Sequence, residues 1–312
     1  SEMCIRDRER AFYGDFYVVR PSDVKSVSAD FVGGICQVLK EMNLSRARIG
    51  FEEKYMPFMS AEELRHALPE AQLRPASGVF EESRMIKTED EMRAIGKAVA
   101  IAEKALIETY RSTHEGESEL ECANHLKVVL TNLGASTLFV EMGAGRRSQL
   151  ATHPSEYRMK KGDVVHIDFG ASYAGFCSDI ARNAVLVQAL SEHMRINQAL
   201  LAAHQEIVGI LKPGLRVSEI FKTMTRLVRA KGLSDYRRHH VGHGIGVSAH
   251  EPPRIDPEND RVLEPGMTLC IETPYYVWDL GGFNIENVIA ITEDGCEMIS
   301  KIDQDLYVLP RA

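Results

Sequence analysis

The 312-residue sequence contains no apolar run of the roughly 18 residues that a membrane-spanning helix requires. Its opening charged residues are not followed by an apolar core, so a secretory signal peptide has no support. We therefore expect a cytoplasmic protein that does not associate with a membrane.

An excess of basic residues is also lacking. Lys and Arg number 37 against 45 Asp and Glu, which gives a formal net charge of −8. A protein that binds nucleic acid needs a basic face to displace counterions, so no nucleic-acid partner is expected. The short pairs Arg146-Arg147 and Arg237-Arg238 are typical of solvated loops.

Paired cysteines at metal or redox spacing are missing as well. Six cysteines are scattered along the chain: Cys4, Cys36, Cys122, Cys177, Cys270 and Cys296. In a chain of this size without a signal peptide, we expect reduced thiols and no disulfide framework.

Length and composition fit one large globular domain with a smaller one. Residues 1–10 (SEMCIRDRER) resemble a translated adapter fragment, so we expect a non-native scar there and exclude it from the predicted fold. Residues 11–83 read as a partial α/β N-terminal domain. They comprise a helix within 24–42, a strand at 48–51 and a second helix that a Ser60–Glu63 capping box opens. The main domain spans residues 84–312.

The main domain repeats one order of elements. Thr88 and Glu91 predict the cap of a long helix, a second helix covers about 118–133, and extended segments end at 164–168. Helices at about 191–211 and 218–231, then a strand at 267–272, repeat this order. The pattern predicts a pseudo-symmetric α+β domain whose helices cover one face of a curved antiparallel sheet.

Each copy contains a hairpin with two acids. If the first hairpin is centred between Tyr173 and Ala174, Asp168 lies directly opposite Asp179. A loop near Asp279 places Glu272 opposite Glu286 in the second hairpin, within apolar strands. Carboxylates so close repel each other unless they are protonated or bridged by a cation.

A glycine-rich loop adds nitrogen ligands. Glycines flank His243, which lets the backbone approach closely while the imidazole offers a neutral nitrogen. Four carboxylates and one imidazole favour Mn²⁺ and tolerate Zn²⁺, Co²⁺ or Fe²⁺. Four acids exceed the needs of one ion but suit two divalent ions about 3.5–4 Å apart.

This set of residues resembles the pita-bread metallohydrolases, which include prolidase, aminopeptidase P, methionine aminopeptidase and creatinase. The resemblance covers about residues 84–312. The matching segments are 166–170 (HIDFG), 178–182 (SDIAR), 242–246 (GHGIG), 271–274 (IETP) and 284–287 (NIEN).

The resemblance implies the pita-bread fold and assigns the metal ligands. Asp168 would bind one metal, His243 and Glu272 the other, and Asp179 and Glu286 would bridge the two. A metal-bridging hydroxide would attack the substrate carbonyl, with Glu272 taking its proton and passing it to the leaving nitrogen.

The resemblance also assigns residues around the substrate. His250 would stabilise the tetrahedral oxyanion or the leaving group, and His153 would contact the substrate. His239 would line the pocket for the residue after the scissile bond, and Tyr275 belongs to the segment that forms the pocket wall. His240 is interpreted as a neighbour without a role.

Two departures from the family pattern affect the pocket. Asn284 stands where prolidases and aminopeptidases P have an arginine that supports the acidic cluster, so metal affinity or substrate choice should differ. Residues 273–276 (TPYY) replace the usual Pro-Gly-hydrophobic-Tyr segment.

The favoured function is that of an Xaa-Pro dipeptidase or aminopeptidase that acts on small peptides as a homodimer. The alternative is a non-peptidase C–N hydrolase of the creatinase or ectoine-hydrolase kind, acting on a small metabolite amide. A third possibility is a catalytically inactive interaction module. Such a module would have little need for opposed buried acids.

Overall fold

The computed structural model describes residues 30–150 and 152–311. The chain divides into two compact units between Phe80 and Glu81. The scar predicted at residues 1–10 and the start of the helix predicted within 24–42 lie outside the described residues.

The first unit is a small α/β arrangement. Its elements are α1 (Phe31–Glu41), β1 (Arg48–Phe51), α2 (Phe58–Ala67) and β2 (Gln72–Pro75). Strands β1 and β2 pair in parallel. Apolar side chains from both helices form its core: Val32, Cys36, Leu64 and Leu68, the last just after α2.

One of the two predicted capping boxes is correct. Thr88 accepts a hydrogen bond from the backbone N–H of Glu91, and the Glu91 carboxylate accepts one from the backbone N–H of Thr88. The Ser60–Glu63 box is wrong, because α2 already begins at Phe58 with Pro57 at its N-cap. Proline has φ preset near the helical value and no N–H to satisfy, so the helix can start there without a capping side chain.

The second unit contains the repeated order of helices and strands. After α3 (Ser77–Met85), which crosses the division, the first copy comprises α4 (Glu89–Ser112), α5 (Glu119–Asn132), β3 (Ser136–Ala144), a 3₁₀ turn (Gly145–Gln149), β4 (Val164–Tyr173) and β5 (Phe176–Leu186). The second copy comprises α6 (Ser191–Val208), α7 (Val217–Ala230), β6 (Gly242–Gly244), β7 (Thr268–Glu272), β8 (Tyr275–Val277), β9 (Gly281–Phe283), β10 (Glu286–Ile291), β11 (Cys296–Met298) and β12 (Tyr307–Leu309). Among the described residues, no helix combines the length and the apolar character needed to cross a bilayer.

The strands form one eight-stranded sheet in the order β3-β4-β5-β10-β7-β6, with β11 beside β10 and β12 beside β5. The strands along this path pair antiparallel. The two copies meet where β5 pairs with β10 through Ala181 and Glu286. The predicted pseudo-symmetric α+β domain is confirmed.

The two faces of this sheet have different chemistry. Val165 and Ile167 of β4 pack into a core with side chains from α4 and α5. Leu269 and Ile271 of β7 pack into a second core with α6 and α7. Because side chains alternate along a strand, the residues between them, such as His166 and Cys270, face the opposite side. Most helical residues therefore cover one face. The other face carries the polar groups, beside a small apolar cluster in which Cys270 packs with Ile95 and Val99 of α4.

The register of the first hairpin differs from the prediction. Asp168 pairs with Ala181 and Asp179 pairs with Gly170, so the two acids are diagonal neighbours. The turn residues are Ala174 and Gly175, both with positive φ (50° and 83°), as a tight two-residue hairpin requires. The centre therefore lies one residue later than predicted, which shifts each partner by two residues and keeps both acids on one face.

The second hairpin has the predicted register, because Glu272 pairs directly with Glu286. The small β8-β9 ribbon at its end continues the same pairing, with Tyr275 opposite Phe283.

A buried arginine spans the junction between the copies. The Arg182 guanidinium donates to the carbonyl oxygens of Glu286 and Ala181 at 2.7 and 2.8 Å. It also donates to the Asn287 side chain at 2.7 Å and to the Asp303 carbonyl at 3.2 Å. Because only one residue pair joins β5 to β10 directly, these bonds do much to hold the junction together.

We predict that Arg182→Met lowers the free energy of unfolding by about 3 kcal/mol or more, because several buried acceptors lose their donor. Urea unfolding followed by circular dichroism measures this. The control Arg195→Met removes an exposed guanidinium paired with Glu192 and should cost at most about 1 kcal/mol. Equal losses in the two variants would contradict the role of Arg182 at the junction.

Candidate metal centre

Three of the predicted ligands meet on the polar face of the sheet. One ligand atom each from Asp179, His243, Glu286 and Cys270 lies within 4.8 Å of all the others, and all four residues are buried. His243 Nε2 is 3.8 Å from an Asp179 oxygen and 3.7 Å from a Glu286 oxygen. Strands β5, β6, β7 and β10 thus converge on one small volume.

Two glycines allow His243 to sit there. A Cβ atom at Gly242 would lie 2.1 Å from the carbonyl oxygen of Cys270, and Gly242 has a φ of +147°. A Cβ atom at Gly244 would lie 2.2 Å from the carbonyl oxygen of Pro252. His243 Nδ1 is 3.0 Å from the Gly244 carbonyl oxygen. That contact leaves Nε2 directed at the acids.

Glu272 and Asp168 complete the predicted set. Glu272 lies directly opposite Glu286, and its Oε1 atom is 2.8 Å from Nδ1 of His240. Asp168 is half-buried on β4 and lies directly opposite Glu141 of β3. Asp168 and Glu286 both pair with Ala181 of the strand between them, which places Asp168 beside the same cluster.

The acids disfavour each other's ionisation. Burial, and then the charge of Glu286, raise the pKa of Asp179 well above its usual range. Burial and the neighbouring carboxylates likewise raise the pKa values of Asp168 and Glu286. Burial opposes ionisation of Glu272 too, but the contact with His240 and the nearby His243 and Arg238 together lower the pKa of this carboxyl.

These residues fit a divalent cation. Asp179 is 2% exposed, and its buried Oδ1 atom has no hydrogen-bond partner within residues 30–150 and 152–311. A buried carboxylate oxygen without a donor is costly unless a positive charge faces it. Carboxylate oxygens with imidazole nitrogen are a donor set for Mn²⁺, Zn²⁺, Co²⁺ or Fe²⁺.

Two groups at this cluster were not predicted from the sequence. Cys270, interpreted as a free thiol, lies directly opposite His243, and its Sγ is 3.8 Å from the carbonyl oxygen of Asp179. Its position two residues before Glu272 on a strand was the available signal, because such residues share a face. Glu141 offered no comparable signal, since only strand pairing brings it to Asp168.

Asn284 supports the acids without a charge. Its amide Nδ2 donates to Glu286 at 3.3 Å, and its Oδ1 accepts from the backbone N–H of Thr273 at 3.0 Å. Its backbone N–H donates to Asn183 Oδ1 at 2.8 Å. The residue that replaces the expected arginine is therefore integrated into the polar network around the centre.

Of the three histidines predicted to contact substrate, one lies beside the metal ligands and two are exposed. His250 lies against His243, with ring centroids 3.9 Å apart. Burial and the neighbouring His243 lower the pKa of His250 to about 4, so its ring is neutral at pH 7. His239 is exposed and contacts the ring of His240, not the acids. His153 is exposed, and its carbonyl oxygen accepts a hydrogen bond from Arg147.

His240, interpreted from the sequence as a neighbour without a role, contacts Glu272 directly. Tyr275 does not face the acids, because its hydroxyl donates to Asp235 at 2.6 Å. The next residue, Tyr276, points to the opposite side of its strand, as alternation requires. The charges of Asp168 and Glu272 act on its hydroxyl, so Tyr276 is the tyrosine beside the centre.

Comparison with known proteins identifies related chains. Residues 93–293 match the sequence model described as Metallopeptidase family M24, and residues 6–86 match that of the Creatinase/Prolidase N-terminal domain. The second match begins at residue 6, inside the segment 1–10 that was predicted to be a non-native scar. The Xaa-Pro dipeptidase of Pyrococcus horikoshii is 31% identical over 257 residues, which cover 81% of this chain and 73% of that protein.

Solved structures share the fold. An X-Pro aminopeptidase from Thermotoga maritima superposes with a TM-score of 0.85 at 26% identity, covering 91% of this chain and 81% of its own. An Xaa-Pro dipeptidase from Bacillus anthracis gives a TM-score of 0.84 at 32% identity, covering 91% and 80%.

We predict that Asp179→Ala strongly reduces the divalent metal retained after dialysis, because a buried carboxylate facing the cluster is lost. Elemental analysis measures the metal content, and far-ultraviolet circular dichroism should remain as in the wild type. Asp294→Ala, on the exposed turn before β11, is the control that should retain metal. Full metal content in Asp179→Ala would remove this residue from the ligand set.

Proposed function

Because the chain belongs to metallopeptidase family M24, we propose that it hydrolyses the peptide bond preceding proline in short peptides, using two divalent cations. The buried convergence of Asp179, His243 and Glu286 carries this proposal. Support for the substrate comes from relatives named Xaa-Pro dipeptidase, which are about a third identical.

The centre would be held by the five predicted ligands: Asp168, Asp179, His243, Glu272 and Glu286. Bound there, two cations would supply an activated water and polarise the scissile carbonyl. Manganese is our proposed resident metal, because oxygen ligands predominate. A homodimer is likewise proposed, and light scattering of the purified protein tests it.

Glu272 is the proposed general base. Its carboxylate lies directly opposite Glu286 in the cluster and would accept a proton from the attacking water and deliver it to the leaving nitrogen. The contact with His240 holds the carboxylate in one orientation. His250 has a neutral ring and would donate a hydrogen bond to the oxygen that becomes negative during attack.

Substrate contacts are proposed for His153, His239 and His250, as the family resemblance implies. Tyr276 replaces Tyr275 in our proposal, because Tyr275 is committed to Asp235. The ring centroids of Tyr276 and the buried His166 are 6.4 Å apart. These aromatic groups suit the apolar ring of a prolyl residue.

Arg238 is the proposed receptor for the free carboxylate of a dipeptide. Its guanidinium carbon lies 5.4 Å from the centroid of the Tyr276 ring. Its buried Nε has no hydrogen-bond partner in the described part of the chain, and its charge acts on Glu272. An unpaired arginine beside a peptidase centre matches a carboxylate better than any neutral group.

The second candidate is hydrolysis of a C–N bond in a small metabolite. Asn284 favours it, because a neutral amide replaces the arginine that prolidases and aminopeptidases P carry at this position. Replacing a positive arginine with a neutral amide makes the surroundings of the acids more negative. The site would then favour a different substrate.

A hydrolysis screen of the metal-loaded protein tests the proposed function. We expect cleavage of Xaa-Pro dipeptides, slower cleavage of Xaa-Pro-Yaa peptides, and no cleavage after removal of metal by a chelator. Chromatography of the released amino-terminal residue Xaa, which both kinds of substrate yield, reports the reaction. Cleavage confined to N-acyl or amidino metabolites would reject the peptidase in favour of the second candidate.

The Arg238→Met variant tests the carboxylate receptor. We predict that its KM for a free Xaa-Pro dipeptide rises about tenfold or more, because a charge-assisted hydrogen bond is worth roughly 1.5–3 kcal/mol. Its KM for the corresponding Xaa-Pro amide, which lacks the charge, should stay unchanged. Arg237→Met, altering the exposed neighbouring arginine, is the matched control. Parallel increases for acid and amide would assign Arg238 to general support of the centre instead.

A further inference from the structure

A buried ion pair lies behind the loop that carries His250. Lys87 Nζ is 3.2 Å from Glu251 Oε2, and the two side chains are 2% and 8% exposed. Lys87 also donates to the carbonyl oxygen of Met85 at 3.3 Å. None of the roles assigned above uses either residue.

The Glu251 end of this pair is fixed next to the metal centre. The backbone of Glu251 exchanges two hydrogen bonds with Gly244, each 2.9 Å long, and Gly244 follows His243. The second carboxylate oxygen of Glu251 accepts from the backbone N–H of Ser248 at 2.9 Å, which closes the turn before His250. The side chain of Glu251 therefore determines how the His250 backbone is presented.

The Lys87 end is equally constrained. Its backbone N–H donates to the carbonyl oxygen of Gly266 at 2.9 Å, at the start of the segment that leads into β7. A Cβ atom at Gly246 would lie 2.6 Å from Glu251 Oε2 and 2.8 Å from Lys87 Cε. The pair thus fills a closely packed space with little room for another geometry.

Stability alone does not explain this arrangement. Burying two charges costs about as much as their attraction returns, and apolar side chains of similar volume often serve equally well. An ion pair also fixes an orientation. The Glu251 carboxylate must be oriented so that one oxygen faces the Lys87 ammonium and the other faces the Ser248 N–H. The group that depends on this direction is the neighbouring His250, whose ring lies 3.9 Å from that of His243.

We propose that Lys87 is a positioning residue which, through Glu251, holds His250 over the metal centre. This inference rests on the proposed function, because it concerns the hydrogen bond that His250 donates to the substrate oxygen. Lys87 itself touches neither substrate nor metal.

The test is a double-mutant cycle on the metal-loaded full chain. The variant Lys87→Met/Glu251→Gln removes both charges and so leaves no buried carboxylate unpaired. It is made in the wild-type and in the His250→Ala backgrounds, and Lys97→Met, an exposed lysine of α4, is the control. Metal content, thermal unfolding, kcat and KM for an Xaa-Pro dipeptide are measured for each protein.

We expect the pair variant to lose about tenfold or more in kcat in the wild-type background, because a misplaced catalytic group costs that much. KM and metal content should stay within about twofold of wild type, because the hydrogen bond from His250 strengthens mainly in the transition state, as the substrate oxygen becomes negative. In the His250→Ala background the same substitutions should change kcat by less than about twofold, because the group they position is absent.

Equal losses in both backgrounds would assign the pair to the stability of the fold and overturn the proposal. So would an unchanged kcat with a lowered melting temperature, or failure of the pair variant to fold. A wild-type protein that cleaves no Xaa-Pro substrate would reject the proposed function instead, and the two failures are thereby distinguished.

Discussion

Mutual repulsion among buried carboxylates is the constraint on which the rest of this structure depends. Asp179 and Glu286 are each 2% exposed and lie on neighbouring strands, with Glu272 directly opposite Glu286. Within the protein, burial and like charge both disfavour their ionised forms. A bound cation offsets this cost. The repulsion among the carboxylates therefore favours binding of metal ions.

The surrounding groups moderate this charge in different ways. Arg182 donates to the backbone of Glu286 from behind, so it fixes the strand and leaves the carboxylate free. Asn284 donates to the Glu286 side chain without adding charge. His240, His243 and Arg238 lower the pKa of Glu272. One acid is thereby made different from its neighbours, which is what a general base in a cluster of ligands needs.

Much of the site could be predicted from the sequence because the relevant rules are local. Alternation along a strand puts Asp168 and Asp179 on one face whatever the exact centre of the hairpin, so an error of one residue in the turn did not change the face. Glycines beside His243 indicated a close backbone approach, and the structure shows carbonyl oxygens within about 2 Å of where their side chains would begin.

Other features depend on contacts between distant segments, and no local rule predicts them. Glu141 joins the acids through pairing between β3 and β4, and Lys87 reaches Glu251 across 164 residues of sequence. Tyr275 and Tyr276 are indistinguishable by composition, and only the pairing of β8 with β9 decides which one faces the centre. The sequence by itself determined the repeated order of elements and the residue types that bind metal, because periodicity and side-chain chemistry are encoded residue by residue. Which groups surround those ligands, and with what charge, was decided by the tertiary structure, because it depends on how separate strands and loops pack together.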